Sequence, residues 1–289
     1  MALQRVVGGV GRLLITVGTV ILLFVAYQLW GTGVREAQAQ SELTEAFSEA
    51  LVAEAVPPGE APLAPPSGEA AAVIRIPKLG LEKAVVEGVG VADLRKGPGH
   101  YPDTPMPGQA GNVAIAGHRT TYGAPFYELD RLEAGDEIVV RTLQGEFRYA
   151  VDRTMVVRPD EVQVLDPTEE SRLTLTTCNP RYSARERLIV SAVLLDAPVP
   201  APDRVESPSS EAEPVSETGT EGPAALTGDP SARTPALLWG ALAAGLWLTT
   251  LQIARRWRRL PAYVLGVPVV AVVLFLCFEQ VARLFPANI

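Results

Sequence analysis

The chain has 289 residues, of which 47% are apolar and 20% charged, with a formal net charge of −8. That balance excludes a disordered chain, and the excess of acid excludes a sequence-independent grip on nucleic acid, which needs Lys and Arg to displace counterions. Two Cys and two His exclude a disulfide-stapled scaffold, a Cys-rich zinc finger and an iron–sulfur cluster, and no cofactor is expected.

Residues 1–12 place Arg5 and Arg12 ahead of an uncharged apolar run, Leu13–Trp30. At about 1.5 Å per residue this run spans roughly 27 Å, close to the hydrocarbon thickness of a bilayer. The spacing predicts a transmembrane helix over 13–30 with its N-terminus in the cytoplasm. Ala37-Gln38-Ala39 has the small-x-small form of a signal-peptide cleavage site. The apolar run is longer than a usual signal core and the site lies well past it, which favours a retained anchor. Residues 31–71 read as an extracellular linker. From residue 40 it is rich in Ala, Glu and Pro, a flexible or extended tether with a short helix over 40–55.

Between 72 and 196 the pattern changes to short β-type runs separated by Gly/Pro turns. Strands are predicted over Ala72–Ile76, Ala84–Glu87, Val113–His118, Glu137–Thr142, Glu146–Arg158, Arg172–Cys178 and Arg187–Leu195. Gln144-Gly145 reads as a hairpin turn, and short helices are predicted over Val91–Arg95 and Pro125–Leu129. Many short strands with few helices predict a mainly β domain, a closed or nearly closed barrel.

Residues 197–234, rich in Pro, Ser, Glu and Thr, read as a second linker. Two further apolar segments, 235–254 and 261–281, flank a basic cytoplasmic loop at 255–260 that contains Arg255-Arg256-Trp257-Arg258-Arg259. By the positive-inside rule that loop is a stop-transfer cluster, not a nucleic-acid or lipid-headgroup site. All three spans then agree. The protein is expected to be a multi-pass protein of the cell membrane with residues from about 31 to 234 outside, and the C-terminal pair reads as an anchor.

Chemistry concentrates in the β domain. Cys277 lies in the third span, where a Cys behaves as a small apolar residue. Cys178 is the one Cys of a domain that faces an oxidising compartment, so it has no disulfide partner within that domain. It ends the run Leu173-Thr174-Leu175-Thr176-Thr177-Cys178, and Pro180 should stop the strand just beyond it. His118 ends the run Val113-Ala114-Ile115-Ala116-Gly117-His118. Period-two alternation places Ala114, Ala116 and His118 on one face of their strand and Thr174, Thr176 and Cys178 on one face of theirs. The same alternation arises if those faces simply point to water. Nine residues after Cys178, Arg187 opens the next strand. A strand, a loop and an antiparallel return would set its guanidinium beside the thiol, where it would favour the thiolate or hold an oxyanion. Arg181 and Arg185 flank the same loop, and chemistry alone does not choose among the three. His100, in the turn-rich Gly97-Pro98-Gly99-His100-Tyr101-Pro102, reads as loop structure or a surface His. The acidic residues Glu128, Asp130, Glu133, Asp136 and Glu137 read as a solvated turn in preference to a calcium site, and no metal is expected.

These residues carry a resemblance. Thr174-Leu175-Thr176-Thr177-Cys178, with Arg187-Leu188-Ile189-Val190 after it and Gly117-His118-Arg119 before it, resembles the sortase family in composition and in the order His, Cys, Arg. Finer features are most similar to the class E sortases of actinobacteria: Cys178-Asn179-Pro180, Tyr182 to Arg187, Gly117 to Gly123 and Gly99-His100-Tyr101-Pro102. Asn179 departs from the family, where His is commoner.

The resemblance implies an eight-stranded sortase-like β-barrel with short helices, flanked by transmembrane helices. It implies that Cys178 attacks a C-terminal sorting signal of Leu-Ala-x-Thr-Gly or Leu-Pro-x-Thr-Gly type and forms a thioester. His118 would serve as acid and base, and Arg187 would steady the oxyanion. Thr177 would contact the peptide. Tyr122 resembles the tyrosine linked in class E to a preference for Ala over Pro in that signal, with loop packing an equal explanation. The implied partners are secreted proteins bearing a sorting signal, a peptidoglycan precursor or lipid-linked amine as acceptor, and the membrane. The competing classes are a pilin-polymerising sortase, whose Asp-Pro-aromatic lid is missing from residues 40–71, and a non-catalytic surface-binding module. A papain-like hydrolase would place Cys before His, the reverse of the order here.

Overall fold

The structure is a computed structural model that describes residues 2–53, 64–201, 232–256 and 259–284. Most of the 197–234 linker, residues 54–63 of the first linker, and Trp257-Arg258 of the basic loop lie outside the described residues. The chain divides into a helical unit, residues 1–31 with 225–287, and a second unit over residues 32–224.

The second unit is built on eight strands: β1 Ala70–Ile76, β2 Leu81–Glu87, β3 Gly99–His100, β4 Asn112–Ala116, β5 Glu137–Thr142, β6 Gly145–Val157, β7 Arg172–Asn179 and β8 Glu186–Leu194. They close into a barrel in the order β1-β2-β3-β4-β7-β8-β6-β5, with β5 returning to β1. The β2–β3 and β4–β7 pairs are parallel and the remainder antiparallel.

Alternation explains the closure. Ala72, Ile74 and Ile76 of β1 point inward with Ile138 and Val140 of β5 and Phe147, Tyr149 and Val151 of β6. Leu173 and Leu175 of β7 and Leu188, Val190 and Ala192 of β8 complete the core. Burying each large side chain of this kind stabilises the fold by about 1.5–3 kcal/mol.

Several expectations need correction. β3 has only two residues, too few to carry a period, and no sequence signal marks it. Strand β4 stops at Ala116, so His118 lies in the following loop. The β5–β6 turn is Leu143-Gln144, since Thr142 pairs with Gly145. The helix expected over Pro125–Leu129 is replaced by a 3-10 turn, Leu129–Arg131. Ala124 sits at φ +46, and the bonds Tyr127 N–H to Ala124 O and Leu129 N–H to Phe126 O span three residues, so no α-helical ladder starts there.

The first linker also differs. Residues Thr32–Ala53 form a 22-residue helix, α2, in place of a tether with a short helix. Its buried side chains, Thr32, Glu36, Gln40, Leu43 and Phe47, recur at three or four residues and form one face. Leu43 packs with Ala84 and Val86 of β2. Gln40 donates to Ala84 O and Lys96 O at 2.9 Å each and accepts from Ala84 N–H at 2.8 Å. Glu36 pairs with Lys83 at 2.7 Å. The helix is hidden in the sequence because three of the five residues on its docking face, Thr32, Glu36 and Gln40, are polar. The short helix expected after β2 is present as α3, Val91–Leu94, with Leu94 buried.

His100 is not on the surface. It is buried in β3, with Nδ1 2.8 Å from Glu87 Oε2 and Nε2 2.9 Å from Pro105 O and 3.1 Å from Thr104 Oγ1. The imidazole therefore fills a structural role, cross-linking β3 to β2 and to the 101–105 turn. Removing one partner of a buried hydrogen-bonded pair leaves the other's polar atoms stranded, at a cost of about 1–3 kcal/mol. We expect His100→Ala to lower unfolding free energy by that order in denaturant melts, with His100→Gln losing less; equal stability of His100→Ala and wild type would refute this role.

In the helical unit, α1 (Ala2–Ala26) runs into a π-helical turn at Tyr27–Gly31. Helices α4 (Arg233–Arg256) and α5 (Arg259–Arg283) follow. Three helical stretches are long and apolar enough to cross a membrane. Leu14, Ile15 and Leu22 of α1 are more than three-fifths exposed, as lipid-facing side chains would be. Tyr27 packs edge-on against Phe275 at 5.1 Å between ring centroids, and Phe24 against Phe278 at 5.3 Å. Cys277 of α5 is buried, with Sγ 3.8 Å from Ala236 O of α4, the packing role expected of it.

Candidate active site

Topology gathers the reactive residues. Because β4 and β7 are parallel, their C-terminal ends share one rim of the barrel. Because β8 is antiparallel to β7, its N-terminal end lies at that same rim. Strand ends and the loops beyond them are where barrels commonly build sites. The β4–β7 register pairs Ala116 with Thr176, so two residues further His118 comes level with Cys178.

Cys178 and Arg187 are direct partners in the β7–β8 ladder. Arg187 Nη1 lies 3.8 Å from Cys178 Sγ and donates to Ala184 O and Glu186 O at 3.1 Å each. Of the three arginines left open by the sequence, Arg187 is thus the one on the thiol. Arg181 is turned away, paired with Asp130 at 2.8 Å and stacked over Tyr127 at 4.5 Å, and Arg185 is exposed. Cys178 is 4% exposed. Burial pushes its thiol above the ordinary cysteine value, while Arg187 and then Arg119 pull it back down. That balance favours the protonated thiol, so chemistry through the thiolate would call for a base beside it.

The face that bears Cys178 does not point to water. Thr174 and Thr176 are buried. Thr174 donates to Asn112 Oδ1 at 2.7 Å, and Asn112 donates in turn to Val164 O and Asp166 O. The loop between β6 and β7 therefore covers the lower part of this face.

His118 is buried, with Nδ1 3.3 Å from Thr121 Oγ1. Its ring lies 4.9 Å from that of Tyr122. Tyr122 takes φ +49, an uncommon conformation for a bulky residue. Its N–H donates to Thr32 Oγ1 of α2 at 3.1 Å, and Arg95 lies over its ring at 5.5 Å. A Cβ at the next residue, Gly123, would run into the Glu36 carboxylate, so the loop after His118 rests directly on α2. Thr177, expected against a bound peptide, is instead fully buried, and its hydroxyl donates to Gly117 O at 2.7 Å. Alternation turns it into the barrel, where it fixes the residue before His118.

Arg119 enters the sequence reading only as part of a motif, and alternation alone misses its place. It is 3% exposed, and Nη1 donates to Cys178 O at 3.0 Å and to Asn179 Oδ1 at 2.8 Å. Adjacent strand residues face opposite ways, so a reading that extends β4 to His118 sends Arg119 away from the thiol. The strand ends two residues earlier, which frees Arg119 to turn back. The acidic residues of this region are engaged by cations: Asp130 by Arg119 and Arg181, Glu128 by Arg131, and Glu133 and Asp136 by Lys78.

Comparison with known proteins gives a consistent result. The Sortase domain family matches residues 74–195. Sortase SrtE1 of Streptomyces coelicolor is 36% identical over 198 residues, covering 63% of this chain and 55% of that protein. Sortase SrtE2 of the same organism is 32% identical over 209 residues, covering 64% of this chain and 81% of that protein. The matched stretch thus spans about half the length of SrtE1. The solved structure of sortase E from Streptomyces avermitilis is 42% identical, covering 45% of this chain and 90% of that one, with a TM-score of 0.41.

Proposed function

We propose a specific reaction for this chain, which belongs to the sortase family and is similar within it to class E. It is an enzyme, a membrane-anchored cysteine transpeptidase acting on proteins with a C-terminal sorting signal. The observation that carries the reading is the pairing of Cys178 with Arg187 across β7 and β8, at the rim where the loop after β4 presents His118.

In this reading His118 accepts the Cys178 proton as Sγ attacks the carbonyl carbon of Thr in a Leu-Ala-x-Thr-Gly or Leu-Pro-x-Thr-Gly signal. The oxyanion that forms is held by the Arg187 guanidinium. Collapse breaks the Thr–Gly C–N bond, and His118 returns the proton to the leaving amine. The thioester is then attacked by the amine of a peptidoglycan precursor or lipid-linked acceptor. His118 takes the amine's proton and gives it to the departing thiolate, so the net change is exchange of one amide for another. The three apolar helices anchor the enzyme with its barrel on the outer face of the cell membrane, where substrate and acceptor meet. In this reading Tyr122, whose ring lies 4.9 Å from that of His118, contacts the residue that distinguishes the two signals.

The test uses the full chain in detergent micelles, with peptides of each signal type and a small amine. Mass spectrometry should find cleavage between Thr and Gly, an acyl adduct on Cys178 and an amine-capped product. A folded protein that forms no adduct with either peptide would sink the assigned substrate.

A further inference from the structure

Beyond the three residues of the proposed reaction, the rim holds a chain of polar contacts that crosses all three strand ends. Arg119, next to His118, donates to the backbone carbonyl of Cys178 and to Asn179 Oδ1. The same Asn179 donates from Nδ2 to Glu186 Oε2 at 2.9 Å. Glu186 precedes Arg187 and pairs with Asn179 in the β7–β8 ladder. We infer that Arg119, Asn179 and Glu186 form a positioning clamp that sets the spacing of His118, Cys178 and Arg187.

The chemistry of each member fits that assignment. Asn179 meets a cation on one side and a carboxylate on the other, so it must accept from the first and donate to the second. A primary amide does both at once. Asp in its place would keep the bond to Arg119 and set two carboxylates together at Glu186. An apolar residue would lose both bonds. Arg119 is buried, and its carboxylate partner Asp130, at 3.2 Å, is two-fifths exposed and shared with Arg181. Its bond to the Cys178 carbonyl acts on the backbone of the nucleophile itself. That fixes the direction in which the Cys178 side chain leaves the strand. Strand pairing to β8 continues through Cys178, but pairing to β4 ends at Thr176, so on that side the Arg119 bond is what ties down the Cys178 backbone.

Positions set this way matter because a misplacement of about 1 Å costs on the order of 100-fold in rate. The inference rests on the proposed transpeptidase reading for its kinetic consequences, though not for its structural ones. The charged groups around Cys178 are Arg187 from β8, 3.8 Å from the thiol, and Arg119 from the loop after β4, on the Cys178 carbonyl; the same loop carries the His118 imidazole.

The experiment uses the full chain in detergent micelles with two readouts. One is the pH profile of iodoacetamide alkylation at Cys178, resolved from Cys277 by peptide mass spectrometry. The other is kcat and KM for peptide-to-amine transfer. Asn179→Ala removes the clamp's centre and alters no charge. We expect its kcat to fall about 10- to 100-fold with KM within about threefold, and its alkylation midpoint to rise as Arg187 loses register with the thiol. Arg119→Lys keeps the charge and loses the forked geometry, so it should repeat the fall in kcat. The double variant Arg119→Lys with Asn179→Ala should be no worse than the more damaged single variant, because both break one device.

Thermal melts establish that each variant is folded. Asn179 lies at the partly exposed end of a strand, outside the buried core. A folded Asn179→Ala with wild-type kcat and alkylation profile would overturn the clamp, and so would additive losses in the double variant. Alkylation needs no sorting peptide. If wild type acylates with neither signal, the alkylation profile still decides the clamp while the substrate assignment alone falls.

Discussion

Cys178→Ala is expected to abolish the acyl adduct and to reduce peptide-to-amine transfer by about 10⁴-fold or more. The size follows from the chemistry. In the proposed reaction the thiolate forms the covalent intermediate, and neither Thr177, turned into the core, nor Cys277, in the helical unit, would replace it. Position is unaffected by the change, since β7 is held through its backbone to β4 and β8. Far-UV circular dichroism and the melting temperature should therefore match wild type while intact-mass spectra show no thioester. Cys178→Ser should also give no adduct, because a buried hydroxyl without a strong base is a far weaker nucleophile. An adduct of undiminished yield in Cys178→Ala would remove Cys178 from the mechanism.

Arg187→Ala should lower kcat/KM by about 10²- to 10³-fold, the cost of losing one well-placed oxyanion donor. It has a second, independent signature in pH. Burial raises the Cys178 thiol and Arg187 is the larger of the two charges that counter it. Removing the guanidinium removes a stabiliser of the thiolate, so the alkylation midpoint moves further up and the rate at neutral pH falls. Arg187→Lys should restore most of the pH profile through its charge. It should restore less of kcat/KM, because an ammonium lacks the planar fork. A downward or unchanged midpoint in Arg187→Ala would show that the guanidinium does not act on the thiol.

The sequence and the structure agree most closely where a physical signal is local. Alternation in Leu173-Thr174-Leu175 and the continuous apolar run Leu188-Ile189-Val190 mark β7 and β8, whose leucines and Val190 fill the barrel core. The nine residues from Cys178 to Arg187 prove to separate a ladder pair, since two antiparallel strands joined by a short loop must return to the same level. Local signals fail at β3, whose two residues have no period, and at His100, whose polarity suggests a surface. The Glu87 carboxylate that makes its burial tolerable comes from a neighbouring strand.

By itself the sequence determined the three apolar helices, the barrel class and the family, because hydropathy, period and motif are properties of short stretches. Only the tertiary structure decided that β4 lies parallel to β7, which brings residues 60 positions apart to one rim. It also decided which arginine faces the thiol, that Arg119 grips the Cys178 carbonyl, and that α2 docks on β2 beneath the Tyr122 loop. Those facts depend on strand order and on partners distant in the chain. A guanidinium or an amide carries no mark of its partner until the fold closes around it.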